Sequence, residues 1–145
     1  MIARSNAQVF ESLRTAILRT LVASRHSIDD SFAALAEETV RRHFDSALRQ
    51  MQQHLHAPSQ KALRHFVSQW SAMLMGLGLV PRSILRAVVT LGDLVVQTSK
   101  NTLPPGPGTN LFVREIVRMN FATARELVEV FQQDFVAEEQ SHAQY

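Results

Sequence analysis

The chain reads as an all-α, single-domain helical bundle of about five main helices, globin-like in outline and closed by a long C-terminal helix. Three observations carry that reading. Only five glycines and five prolines occur in 145 residues, and three of the prolines and two of the glycines fall in Leu103-Pro104-Pro105-Gly106-Pro107-Gly108. The rest of the chain therefore has few breakers. Apolar residues recur at helical spacing along almost the whole sequence. Apolar residues make up 46% and charged residues 19%, which supports a packed core and excludes wholesale disorder. The length suits one domain spanning residues 1–145.

The first helix is expected from Asn6 to Ala23, with Val9, Phe10, Leu13, Ile17 and Leu21 on one side. Ser27-Ile28-Asp29-Asp30 resembles a capping box and opens the second. Ile28, Phe32, Leu35, Ala36, Val40, Phe44, Ala47, Leu48, Met51 and Leu55 then predict one continuous amphipathic helix of roughly 28 residues, about 40 Å long. Pro58 opens the third helix near its first position, with Leu63, Phe66, Val67, Trp70, Met73, Leu74 and Leu77 following, and Gly76-Leu77-Gly78 closes it. Pro81 starts the fourth, which runs from Arg82 to about Ser99 and is apolar nearly all round, the pattern of a central helix. Thr109 or Asn110 caps the last helix, expected from Leu111 to about Glu139.

That last helix has two apolar stripes. One is Val113, Val117, Ala124, Leu127 and Phe131; the other is Phe112, Ile116, Met119, Thr123 and Val130. One stripe can cover its own domain, and the other is a candidate dimer seam. The candidate interface is Val113, Ile116, Val117, Asn120, Ala124, Leu127 and Phe131.

The isoelectric point is near 9.7 although the net charge is only +2. With no cysteine and one tyrosine, little titrates between histidine and the strong bases, so the high value says little about nucleic acid. Residues 1–100 carry 12 Lys/Arg against 7 Asp/Glu, and residues 101–145 carry 3 against 6. A basic body and an acidic C-terminal segment attract one another or face different partners. The Met1-Ile2-Ala3-Arg4-Ser5-Asn6 start lacks a signal-peptide apolar run. The most apolar region, Trp70 to Val96, carries Pro81, Arg82, Arg86 and Asp93, which argues against a lipid span. The expectation is a cytoplasmic protein without a membrane partner.

Chemistry-bearing motifs are sparse. Without cysteine there are no disulfides, thiolate metal sites or cysteine nucleophiles. The six histidines (His26, His43, His54, His56, His65 and His142) show neither E-x-x-H nor H-E-x-x-H spacing, so no metal is expected. The stretch from Pro81 to Lys100 holds no His, Cys or Tyr to ligate a haem. Neither a nucleophile elbow nor a P-loop occurs. Gly76 and Gly78 read as a helix–helix turn, and Asp29-Asp30 and Glu37-Glu38 as solvated pairs. The chain is thus expected to be no enzyme and to carry no cofactor. Arg41, Arg42, Arg49, Lys61 and Arg64 read as a solvated helix face, with no interleaved aromatic, so no nucleic-acid partner is expected. Arg86 and Asp93 in the fourth helix, and Asn120 and Thr123 in the last, are polar residues in apolar surroundings. They serve structural pairing, dimer register or contact with a ligand.

Residues Ser68 to Asp134 resemble the helical N-terminal sensory domains of RsbR-type stressosome proteins, which are non-haem, globin-like bacterial sensors. The resemblance is carried by Met75-Gly76-Leu77-Gly78-Leu79-Val80-Pro81-Arg82-Ser83-Ile84-Leu85-Arg86-Ala87, an apolar-Gly helix end followed by a short turn and a new helix. It implies a homodimer built on the long last helix, which passes a signal to a partner protein or downstream domain. The sequence departs from that family in that no phosphoacceptor domain follows, so the resemblance implies a sensor fragment or a stand-alone homologue. The expected function is a regulatory or sensory signalling module, with a small apolar ligand placed near Trp70, Met73, Val89 and Met119. The alternative is a helical adaptor that binds a partner protein and senses nothing. An apolar cavity of roughly a few hundred Å³ separates the two, favouring the sensor.

Overall fold

The computed structural model describes residues 5–143, with side chains described for residues 5–133. Among the described residues there are six α-helices and no strand. These are α1 (Asn6–Ala23), α2 (Asp30–Ala33), α3 (Glu37–His56), α4 (Gln60–Gly76), α5 (Pro81–Thr102) and α6 (Pro107–Ala143), with a 3-10 turn at Arg25–Ser27. The all-α bundle expected from composition and periodicity is the observed fold.

Local chemistry sets most helix ends. Ser5 caps α1 in a capping box: its hydroxyl accepts from the Gln8 backbone N–H at 3.2 Å, and the Gln8 side chain accepts from the Ser5 N–H at 2.9 Å. Ser59 caps α4 by accepting from the Ala62 N–H, so Pro58 lies before the cap rather than opening the helix. At the other end of α4, Leu79 N–H donates to Leu74 O and Gly78 N–H to Met75 O. This Schellman closure needs a left-handed residue at Gly78, whose φ is 97°. Pro81 is the first residue of α5 and Pro107 the first of α6, positions where the missing N–H would be unpaired in any case. The last helix therefore starts four residues before the expected Leu111.

The expected single helix through Ile28 and Leu55 is broken. The chain makes a turn and the short α2, then is extended at Ala36 before α3 begins. Phe32 and Phe44 show why. Twelve residues apart on one helix they would be about 18 Å apart along its axis, yet their ring centroids are 5.6 Å apart. Folding back buries Ile28 and Phe32 against the bundle. Asp29 supports the break by accepting from the Ser31 N–H, and its carboxylate also takes the Ser83 hydroxyl of α5 at 2.9 Å. Glu37 and Glu38 in the first turn of α3 complement the restarted helix dipole.

The core runs continuously from Phe10, Leu13, Ile17 and Leu21 of α1, through Phe44 and Leu48 of α3, to Ile84, Leu91 and Val95 of α5. Phe44 meets Trp70 edge-on at 6.3 Å, and Phe66 stacks on Trp70 at 6.1 Å. The Trp70 indole N–H donates to the His43 carbonyl, so the buried ring keeps no unpaired donor. The α6 helix packs chiefly on α5 and then α4, and α1 packs on α3 and α5. The α5 helix is less enclosed than its sequence implied: Val89 is 48% exposed, and Arg86 and Asp93 face solvent.

Candidate functional site

The α6 helix turns Phe112, Ile116, Met119 and Leu127 into the core, each at most 3% exposed. Going round the helix, the next apolar residues are Val117, Phe121, Ala124, Val128 and Phe131, spaced four, three, four and three apart. That is the spacing of a coiled-coil seam. Phe121 is 70% exposed, Val117 54% and Val128 39%. Ala124 and Phe131 are half-buried at the margin of the core.

The candidate interface drawn from sequence is thereby split. Val117, Ala124 and Phe131 lie on the outward stripe, and Val113 and Asn120 are half-buried between the two faces. Ile116 and Leu127 are fully buried in their own bundle, so these two members of the candidate set are corrected to core residues. Phe121 and Val128 lie on the outward stripe but not in that candidate set, although the alternating spacing from Val117 already points to them.

The expected ligand pocket is also divided. Trp70 and Met119 are buried and line one small cavity, whereas Met73 and Val89 are about half exposed on outer faces. The cavity holds about 20 Å³, room for one water-sized molecule and too little for the apolar ligand proposed from sequence. Its wall is mostly apolar, with Gln50 and His54 from α3 and Asn120 and Thr123 from α6 as the polar members. The Thr123 hydroxyl donates to Met119 O at 2.9 Å. Asn120 packs against Gly92, where a β-carbon would overlap its side-chain amide.

Two open grooves lie beside this cavity, and His54 lines both. One, about 650 Å³, runs between α1, α3 and the start of α4. The other, about 550 Å³, lies between the α3–α4 connection and α6. In the first, Arg14 bridges Glu11 and Asp45, and Arg49 also binds Asp45 at 2.8 Å. Burial pushes the Asp45 carboxyl up, but Arg49 and Arg14 outweigh it and hold it below its usual range. Arg14 likewise lowers the Glu11 carboxyl.

On the second groove, Glu126 is 3% exposed. It accepts from Arg64 at 2.9 Å and from Gln60 at 3.1 Å, while Arg64 also reaches Glu129. The Arg64 hydrogen bond keeps the Glu126 carboxyl below its usual range despite burial. The charge asymmetry between body and C-terminal segment is realised here. Glu138 and Glu139 lie outside the residues with described side chains. Of the other basic residues, Arg41 pairs with Glu37 and Glu38. Arg86 sits 3.6 Å from Asp29 at the start of α2, the structural pairing with another element that was one of its expected roles.

Among the described residues, no three His, Asp or Glu side chains converge to hold a metal ion. No described helix is long and apolar enough to cross a membrane. No protein-family model, curated protein or solved structure matches the chain.

Proposed function

We propose that this chain is a non-catalytic regulatory module of the signalling type, working as a homodimer through α6. The observation that carries it is the outward stripe Val117, Phe121, Ala124 and Val128, continuous with the core face of the same helix. An apolar stripe at coiled-coil spacing is stabilised by covering it, and a second copy presents the matching stripe by symmetry. The α6 helix has 37 residues against 22 in α5, which makes it about 22 Å longer. A helix longer than its own packing partner suits relaying a change at the seam towards the C-terminus. The resemblance to stressosome sensory domains, with their dimeric last helix, points the same way.

The size of the internal cavity favours the second reading over one part of the first. With about 20 Å³ available, sensing of an apolar small molecule is not part of the proposal. Binding to a partner protein is the better-supported input.

Sedimentation velocity at high micromolar concentration tests the dimer. The expected result is a homodimer that Phe121→Glu converts to a monomer. A strictly monomeric native chain sinks the proposal. Native mass spectrometry of the same sample checks for a retained apolar molecule, which would restore ligand sensing.

A further inference from the structure

Resting on the homodimer through α6 proposed above, we infer that the second copy lies parallel to the first, so that Asp93 on α5 meets the partner's Arg118, with the partner's Arg125 also within reach. The reasoning starts from the two flanks of the outward stripe. Arg118 and Arg125 directly follow Val117 and Ala124, on one flank of the seam, and Asn120 directly precedes Phe121, on the other. Asn120 meets Gly92. The α5 helix therefore borders the seam on the flank away from the two arginines.

On that side α5 presents an acid. Asp93 directly follows Gly92, is exposed, and makes no ion pair among the described residues. Val89, four residues earlier on the same face, is exposed as well. The arginines across the seam are loosely held in their own chain. Arg118 lies 3.4 Å from Glu115 and Arg125 3.9 Å from Glu129, and both arginines are mostly exposed. Arg86, by contrast, is turned towards Asp29.

Two twofold arrangements lay the stripe on a copy of itself. With the helices antiparallel, each flank faces the same flank of the other copy. Matching the stripe to its own reverse then sets Arg118 opposite the partner's Arg125, and like charges so placed are disfavoured. With the helices parallel, opposite flanks face one another and every residue keeps its level along the axis. The arginine flank of one copy then faces α5 of the other. Arg118 lies two residues before Asn120 and Arg125 five after it, so both fall within about 8 Å of the level of Gly92 along the axis. Opposite charges meet at the edge of an apolar seam, where they select orientation more than they add affinity.

The chain has no cysteine, so single-cysteine variants read the orientation. Val117→Cys and Val128→Cys replace exposed residues that lie about 16 Å apart along the helix. Under mild oxidation a parallel dimer is expected to cross-link each variant to itself, and an equimolar mixture to give no mixed species. A mixed species without the self-linked ones overturns the inference and leaves the homodimer reading standing. A native chain that is monomeric in sedimentation velocity overturns both. Charge reversal tests the pair itself. Asp93→Arg and Arg118→Asp are each expected to raise the dimer dissociation constant about tenfold, and the double variant to return it to within about threefold of native. A double variant as weak as the single ones overturns the pairing.

Discussion

Asn120 on α6 fills the space that a β-carbon on Gly92 of α5 would occupy. A glycine in a helix interior costs about 1 kcal/mol relative to alanine. At this position that cost permits the close approach of the two most extensively packed helices in the bundle.

Gly92→Ala is therefore expected to destabilise the protein by about 1–3 kcal/mol, through overpacking against the Asn120 amide. In an Asn120→Ala background the same change is expected to be neutral or stabilising by up to about 1 kcal/mol. Urea unfolding of the four members of the cycle measures the coupling. Equal effects in both backgrounds would show that the two residues do not constrain one another.

The two faces of α6 are expected to respond differently. Phe121→Glu removes self-association and changes the stability of the monomer by no more than about 0.5 kcal/mol, as for other exposed positions. Leu127→Ala, at a fully buried position, is expected to cost about 2–5 kcal/mol. Sedimentation and thermal unfolding at matched concentration separate the two effects.

Arg64→Ala leaves the Glu126 carboxylate with the Gln60 hydrogen bond and the weaker attraction of Arg125, and is expected to destabilise the protein more than removal of the Glu126 charge does. Glu126→Gln keeps hydrogen-bonding capacity and removes the buried charge, with an expected cost near 1 kcal/mol. A larger loss for Glu126→Gln than for Arg64→Ala in urea titrations would contradict this ranking.

Stability is expected to fall with acid in two overlapping stages. Burial, with a contribution from Arg42, holds the His43 imidazole below its ordinary value. The unfolded chain then binds a proton that the fold does not, and stability declines as pH drops below about 6.5. The Glu126 and Asp45 carboxyls are also lowered. Their contribution is complete above the ordinary carboxylate range and is lost as pH falls through it, below about 5. Denaturant midpoints from pH 8 to pH 3 check this, and a stability that rises between pH 7 and pH 5 would contradict it. His43→Gln is expected to flatten the first stage only.

Most of the fold was legible because its signals are local. Pro81 and the Gly76–Gly78 turn mark where α4 ends and α5 begins through backbone geometry that needs no tertiary partner. The break before Glu37 was not legible. Phe32 continues the apolar stripe of α3 in register, and only its contact with Phe44 reveals that the chain has folded back. The outward stripe of α6 was half legible: the spacing of Val117, Ala124 and Phe131 identified a second face, but Ile116 and Leu127 were assigned to it as well.

By itself the sequence determined a helical chain, its breakpoints at proline and glycine, and the angular position of each apolar residue on its own helix. The tertiary structure alone decided which side of α6 meets α5 and α4. It also joined Arg64 to Glu126 across sixty-two positions and brought His54 and Asn120 to one cavity. The physical reason is that periodicity describes one helix at a time, whereas burial and pairing belong to the contacts between helices.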